Sequence, residues 1–157
     1  MGHLTPVAES VRDRTETLYR ADGARLWRAL VGYAGDRVVA DDAVSEAFTQ
    51  LLRRGLAVQD AQAWLWRAAF NIARGELRRR GEHAPIVDDR LSRDPETPWA
   101  VIEALSVLSD QQRAVVVLRD YIGHSTRETA EIVGSTDQSV RVQLSRARRM
   151  LRKELAK

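Results

Sequence analysis

Apolar residues return at three- and four-residue spacing through most of the chain, and no stretch sustains a period of two, so the pattern predicts helices and no strands. Three helices are expected in the first half, near 10 to 34, 40 to 54 and 61 to 80, the last opening behind Asp60 as its N-cap. In the second half Thr97 followed by Pro98 is a cap with proline in the first turn, which predicts a helix near 98 to 108. Ser109 with Gln112, and Ser125 with Glu128, have capping-box spacing and open helices near 110 to 122 and 126 to 133. Gly123 and Gly134 stand where helix C-termini favour a left-handed residue.

The period breaks once. Residues 81–99, "GEHAPIVDDRLSRDPETPW", hold three of the four prolines and no apolar repeat. A loop of that length inside one domain would be unusual, so the stretch reads as a linker. The expected fold is all-α, with two small helical domains, 10 to 80 and 98 to 157, joined by a flexible linker over 81 to 97. Charge follows the same division. Residues 1–80 carry 13 arginines against 10 carboxylates, a net of +3; residues 81–99 carry a net of −3; residues 100–157 are again +3. Two basic blocks flank an acidic connector.

The second block ends in "STRETAEIVGSTDQSVRVQLSRARRMLR". A helix of about two turns closes at Gly134, Thr136 can cap another, and the turn between them is so short that the helices must cross: a helix-turn-helix. On the second helix Val140, Leu144, Ala147, Leu151 and Leu155 make one apolar stripe, expected to be core. The opposite face carries Gln138, Arg141, Val142, Ser145 and Arg149, with Arg146 at its edge, and from Arg141 to Lys157 there are 7 basic residues against Glu154 alone. Such a face suits a major groove, because arginine can pair bidentately with guanine and an outward valine can meet a thymine methyl.

In "AWLWRAAFNIARGELRRR" the residues Leu65, Ala69, Ile72 and Ala73, widened by Trp66, Phe70 and Leu77, cover the side expected to be buried. Arg67, Asn71, Arg74 and Arg78 share the other side, with Trp64 near its N-terminal end. This is the chemistry of a single-strand platform: arginines follow phosphates, an indole stacks a base, and an amide reads the edge of an unpaired one. A third surface lies on "DDAVSEAFTQLLRR". There Val44, Ala47, Phe48 and Leu51 form the core stripe and leave Asp42, Glu46, Thr49 and Arg53 outward, a candidate docking face for a protein.

Other classes find little support. No apolar run approaches the ~18 residues of a membrane-spanning helix, so no membrane insertion is expected. The N-terminus lacks the pattern of a secretory signal, and there are no cysteines, so a cytoplasmic protein without disulfides is expected. The histidines are only three, His3, His83 and His124, and no metal-ligand spacing, nucleophile with a base, or glycine-rich phosphate loop is present, so neither an enzyme nor a cofactor is expected. Asp41 and Asp42, adjacent on a helix, diverge by about 100° and make a poor acid/base pair.

Taken in order, these motifs resemble the bacterial RNA polymerase sigma factors of the extracytoplasmic-function type, over roughly residues 15 to 155. "DDAVSEAF" resembles the region 2 helix that grips the coiled coil of the polymerase beta-prime subunit, and "AWLWRAAFNIARGELRRR" resembles the −10 recognition helix. "LSDQQRAVVVLRDYIGHSTRETAEIVGSTDQSVRVQLSRARRMLR" resembles region 4. The resemblance implies a protein that binds core polymerase, through the beta-prime coiled coil and the beta flap, and directs it to promoter DNA. By position it implies that Asp42, Glu46 and Thr49 face the polymerase. It places Asn71 at the pocket for a flipped −10 base, and Arg141, Val142, Ser145 and Arg146 at −35 bases, with Thr136, Ser139 and Arg149 on phosphates. Many relatives are held inactive by an anti-sigma protein, which a flexible linker would permit here.

Three departures stand out: Ser45 replaces a usual glutamine, the segment "GLAVQDAQ" before Trp64 is short, and Ser135 replaces a usually apolar turn residue. An acidic linker carrying Asp88, Asp89 and Asp94 would suit a strand crossing a basic polymerase channel. The competing reading is a dimeric helix-turn-helix regulator, which would bind palindromic duplex tightly without polymerase.

Overall fold

The computed structural model describes residues 5–81 and 99–157, and among them every regular element is helical. The linker reading, its acidic residues Asp88, Asp89 and Asp94, and the Thr97–Pro98 cap lie outside the described residues.

Helix α1 runs Pro6–Ala34, starting four residues before the periodicity does. Proline suits the first helical position because its missing N–H would have no partner there, and the Thr5 carbonyl accepts the Glu9 N–H at 3.0 Å. Gly35 (φ 65°) ends α1 and Asp36 caps α2, Arg37–Arg54. A two-residue turn of this kind lays α2 back along α1. The cap also explains why α2 starts three residues earlier than expected: Asp36 Oδ1 accepts the N–H groups of Val38 (2.8 Å) and Val39 (3.2 Å). After α2 a single tight turn, Gly55–Ala57, leads to α3, Ala61–Arg80, capped by Asp60 as the sequence predicts. Arg14 on α1 donates to the carbonyls of Gly55 (2.7 Å) and Val58 (2.9 Å) and so fastens that turn.

The second group begins with α4, Trp99–Leu105, which stops three residues short of expectation. Helix α5, Asp110–Val116, opens with the predicted Ser109/Gln112 capping box and widens into a π-helical end over Val117–Ile122. That end closes on the Leu118 carbonyl, which accepts the N–H groups of Gly123 (3.1 Å) and His124 (2.9 Å), with Gly123 left-handed. Helices α6, Thr126–Val133, and α7, Asp137–Leu155, follow with their predicted caps at Ser125 and Thr136. Ser135 donates its N–H to the Ala130 carbonyl at 2.9 Å, so its polar side chain leaves the backbone closure of α6 intact.

Ala114 through Leu118 are buried all the way round α5, which marks it as a central helix. One of its sides meets α6 and α7, and another meets α1. As a result the buried side chains form one continuous cluster across both helical groups. The α7 stripe holds at Val140, Leu144 and Ala147 and is half-buried at Leu151. Leu155, expected in the core, is instead 66% exposed, because the neighbouring helices end before the last turn of α7. No described helix is long and apolar enough to cross a membrane.

Candidate nucleic-acid interface

Helix α7 owes its place to its apolar side, which docks on α5 and α6, and to one ion pair on its flank. Arg148 donates two hydrogen bonds to Asp120, Nε to Oδ2 at 3.0 Å and Nη2 to Oδ1 at 2.6 Å; this fork holds α7 to the end of α5 and raises the arginine's pKa further. The sequence counts Arg148 among the basic run, whereas the structure spends it on anchoring. Opposite the buried stripe, Gln138, Arg141, Val142, Ser145, Arg146 and Arg149 are all exposed along one side. Thr136 Oγ1 accepts the Ser139 N–H at 3.1 Å, leaving its own hydroxyl proton for an outside acceptor such as a phosphate.

Helix α3 presents its second surface less uniformly. Arg67, Asn71 and Arg78 are exposed as expected, and Trp64 is half-buried beneath the Arg54 guanidinium, 5.4 Å from the ring centre. Between the tight turn and α3 lies a cleft of about 400 Å³ lined by Arg54, Val58, Gln59, Asp60, Trp64 and Arg67. The sequence pointed to Trp64 and Arg67, read Asp60 only as a cap, and missed Arg54 and Gln59, which the turn brings beside them. Arg74 departs from its row. Its guanidinium is turned toward the second helical group, with Nε 3.8 Å from Asp110 Oδ2 and the side chain 17% exposed.

The bearing of α3 on α1 is set by Asp22, a buried carboxylate that periodicity does not reveal. It accepts hydrogen bonds from Trp66 Nε1 (2.8 Å) and Gln62 Nε2 (2.7 Å), with Arg25 at 3.5 Å. At the other end of α3, Arg80 donates to Asp36 Oδ2 at 2.5 Å. Burial alone would raise the Asp36 carboxyl, but Arg80 and the capped N–H groups of Val39 and Val38 overcome it and hold the group below the usual carboxylate range.

On α2, Val44, Ala47, Phe48 and Leu51 are buried, and Asp42, Glu46, Thr49 and Arg53 are exposed, as the pattern predicts. Thr49 returns its hydroxyl proton to the Ser45 carbonyl at 2.8 Å, so it offers a methyl and an acceptor outward. The ridge of Asp42 and Glu46 is flanked on one side by a groove of about 410 Å³ against Ile72 and Arg79 of α3. On its other side a wider groove, about 800 Å³, holds Tyr19, Trp27, Val44 and Phe48. Tyr19 packs edge-on against Phe48 at 5.1 Å yet remains 60% exposed, an aromatic signal on α1 that the reading of α2 alone passes over.

A capped helix-turn-helix with an exposed basic reading face, on an all-helical scaffold, defines a DNA-binding protein of the transcription class. Residues 99–151, spanning α4 to most of α7, match the family described as Sigma-70, region 4. The RNA polymerase sigma-E factor of Streptomyces coelicolor is 32% identical over 169 aligned positions that cover 99% of this chain and 89% of that protein. The extracytoplasmic-function sigma factor SigM of Mycobacterium tuberculosis is 37% identical over 122 positions, covering 71% of this chain and 62% of SigM. Among solved structures, the fold is shared with RpoE of Bartonella quintana, solved with its anti-sigma factor NepR: TM-score 0.75, 20% identity, 92% of this chain and 98% of that one. It is shared equally with CnrH in complex with the cytosolic domain of CnrY: TM-score 0.74, 24% identity, 96% and 95% of the two chains. With the Streptomyces coelicolor factor 32% identical and aligned over 99% of this chain, the chain belongs to the extracytoplasmic-function RNA polymerase sigma factors. Its function is promoter-specific transcription initiation.

Proposed function

We propose that α7 reads the −35 duplex, with Arg141, Val142, Ser145 and Arg146 at base edges and Thr136, Ser139 and Arg149 on phosphates. The observation that carries this assignment is the division of α7 into a buried stripe and an exposed basic side, which leaves one face free to enter a groove. Helix α3 and the cleft at its N-terminal end take the unpaired −10 strand. Trp64 with Arg54 offers a stacking surface, Asn71 reads a base edge, and Arg67, Arg74 and Arg78 follow phosphates. The outer ridge of α2, Asp42, Glu46 and Thr49, docks on the beta-prime coiled coil, where its exposed carboxylates and the neighbouring Tyr19 groove offer a charged ridge beside an apolar one. The second helical group meets the beta flap. Because it would act on core polymerase and chromosomal promoters, the protein is proposed to be cytoplasmic, and an anti-sigma protein is a further partner proposed for it. The units expected at 10 to 80 and 98 to 157 are proposed to be the ones that part on the polymerase.

The test is transcription in vitro from fragmented genomic DNA, with purified core polymerase in the presence and absence of this protein and the 5′ ends mapped. New starts that share a two-part upstream motif are expected. Failure to yield them, together with tight binding to palindromic duplex by the protein alone, would return the chain to the dimeric regulator class.

A further inference from the structure

The cleft beside Trp64 has two walls, and both are held from α1. One wall is α3 itself, with Trp64 and Arg67; it is tied to α1 through Asp22, which accepts hydrogen bonds from Trp66 Nε1 (2.8 Å) and Gln62 Nε2 (2.7 Å). The other wall is the turn between α2 and α3, with Arg54 at its start and Gln59 at its end. That turn has little packing of its own. Leu56 and Ala57 are exposed, and from Gly55 to Gln59 Val58 alone is buried.

Backbone carbonyls withdrawn from water need donors, and Arg14 supplies them: Nη2 donates to the Gly55 carbonyl at 2.7 Å and Nη1 to the Val58 carbonyl at 2.9 Å. Val11, one turn earlier on the same face of α1, is buried directly beneath, so that a Cβ on Gly55 would stand 3.7 Å from its Cγ2. The Arg14 guanidinium is thereby committed to the main chain, and its Nε is buried without an acceptor. An arginine placed for DNA would turn its fork to solvent, as Arg67 and Arg78 do on α3. A fork aimed inward at two carbonyls serves geometry.

The two carbonyls that Arg14 grips belong to the residues next to Arg54 and Gln59. Arg54 holds its guanidinium 5.4 Å from the centre of the Trp64 ring, and Gln59 brings an exposed amide that can both donate to and accept from a base edge. Any shift of the turn therefore moves Arg54 and Gln59 against Trp64, which Asp22 keeps in place through α3. Arg14 and Asp22 stand a little over two turns apart on α1, roughly 12 Å at about 1.5 Å per residue. Helix α1 is thus a ruler between the walls. Recognition geometry tolerates errors of only about 0.5 Å, so that ruler decides which base edge the cleft can meet.

We propose that Arg14 is a positioning residue for −10 recognition: without touching DNA, it sets the turn so that Gln59 meets the edge of a base stacked against Trp64, and so determines the preference at one −10 position. The preference rests on the −10 role of this cleft, whereas the hold of Arg14 on the turn does not.

Two measurements test the two parts. Hydrogen exchange read by mass spectrometry on the free chain reports the turn: Arg14→Met, which keeps bulk but no donor, is expected to speed exchange across residues 51–63 about tenfold and leave α7 unchanged. Transcription by core polymerase from a promoter library randomised over the −10 element reports the base. Gln59→Ala should flatten the preference at one −10 position by about tenfold. Arg14→Met should flatten that same position, leave the other −10 positions and the −35 preference as in the parent, and add nothing when combined with Gln59→Ala. Arg14→Lys, which keeps the charge but cannot fork to both carbonyls, should fall between parent and Arg14→Met, and it carries both measurements if Arg14→Met loses its helicity by circular dichroism. Unchanged exchange in the turn would overturn the positioning role. A loosened turn with the parent's preference, or a loss spread evenly over every −10 position, would overturn its part in specificity. Parental −10 preference in both Gln59→Ala and Trp64→Ala would instead overturn the −10 role of the cleft, and hydrogen exchange would still decide whether Arg14 holds the turn.

Discussion

Asp36 shows how one side chain can serve two levels of structure, since it caps α2 and receives Arg80 from the far end of α3. Losing an N-cap costs about 0.5–2 kcal/mol, so Asp36→Ala is expected to destabilise by about 1–2 kcal/mol in denaturant titrations near neutral pH. Because the folded carboxyl sits below its ordinary value, this contribution is fully present above the unfolded pKa near 4 and is lost as pH falls through the folded one. The gap between variant and parent should therefore shrink in acid; a gap that widened would show that the folded carboxyl is not held below its ordinary value. Two substitutions separate the DNA-reading surfaces. Arg141→Ala should relax selectivity at one −35 position, at a cost of about 1–3 kcal/mol if the contact is bidentate, measured by competition between promoter variants. Asn71→Ala should leave duplex affinity unchanged and reduce strand opening, read by permanganate footprinting at the −10 element. Asp22 and Tyr19 escaped the sequence reading for different reasons. A buried carboxylate on a long helix looks like any solvated acid until its partners arrive from another helix, and an exposed tyrosine looks like core until the groove beside it is seen.

At the level of elements, caps and turns carry the organisation. Gly134 is left-handed at φ 71° with nothing within 4 Å of where a Cβ would sit, so a substitution there acts through the backbone alone. An L residue in that conformation costs about 1–2 kcal/mol; Gly134→Ala should lower stability by that order and weaken −35 binding by tilting α7, and Gly134→Asn should cost less. Equal losses for alanine and asparagine in denaturant titrations would rule that explanation out. Cap residues were legible because their chemistry is local: Asp60, Ser109, Ser125 and Thr136 all accept the N–H groups that their spacing predicts. The π-helical end of α5 was not, because no residue in "VLRDYI" distinguishes an i+5 from an i+4 hydrogen bond. Nor was the exposure of Leu155, whose place in the apolar repeat is correct but whose neighbours have run out.

For the molecule as a whole, charge is modest, a formal +3 spread over two basic groups and an acidic connector. Duplex binding by the free protein should accordingly be weak, and plots of log affinity against log salt should be linear, with the slope shallower by about 0.9 for each phosphate contact removed. Arg149→Ala is expected to reduce the slope by about that amount without altering sequence preference, by fluorescence anisotropy across a salt series. A change in preference would move Arg149 from phosphate to base.

Periodicity, caps and the order of basic and acidic faces determined, from the sequence alone, that the chain is helical, that it carries a helix-turn-helix, and which side of α7 and α2 would face outward. Each of those features depends on residues within a few turns of one another, and local hydrogen bonding and amphipathicity act over that range. Only the tertiary structure decided that Arg74 turns from its row toward Asp110, that Arg148 is an anchor, and that Arg54 and Gln59 join Trp64 around a cleft. Those outcomes depend on which elements meet: Arg74 of α3 reaches Asp110 at the start of α5, Arg148 of α7 reaches Asp120 at the end of α5, and the turn before α3 folds Arg54 and Gln59 beside Trp64, and no apolar period encodes any of these meetings.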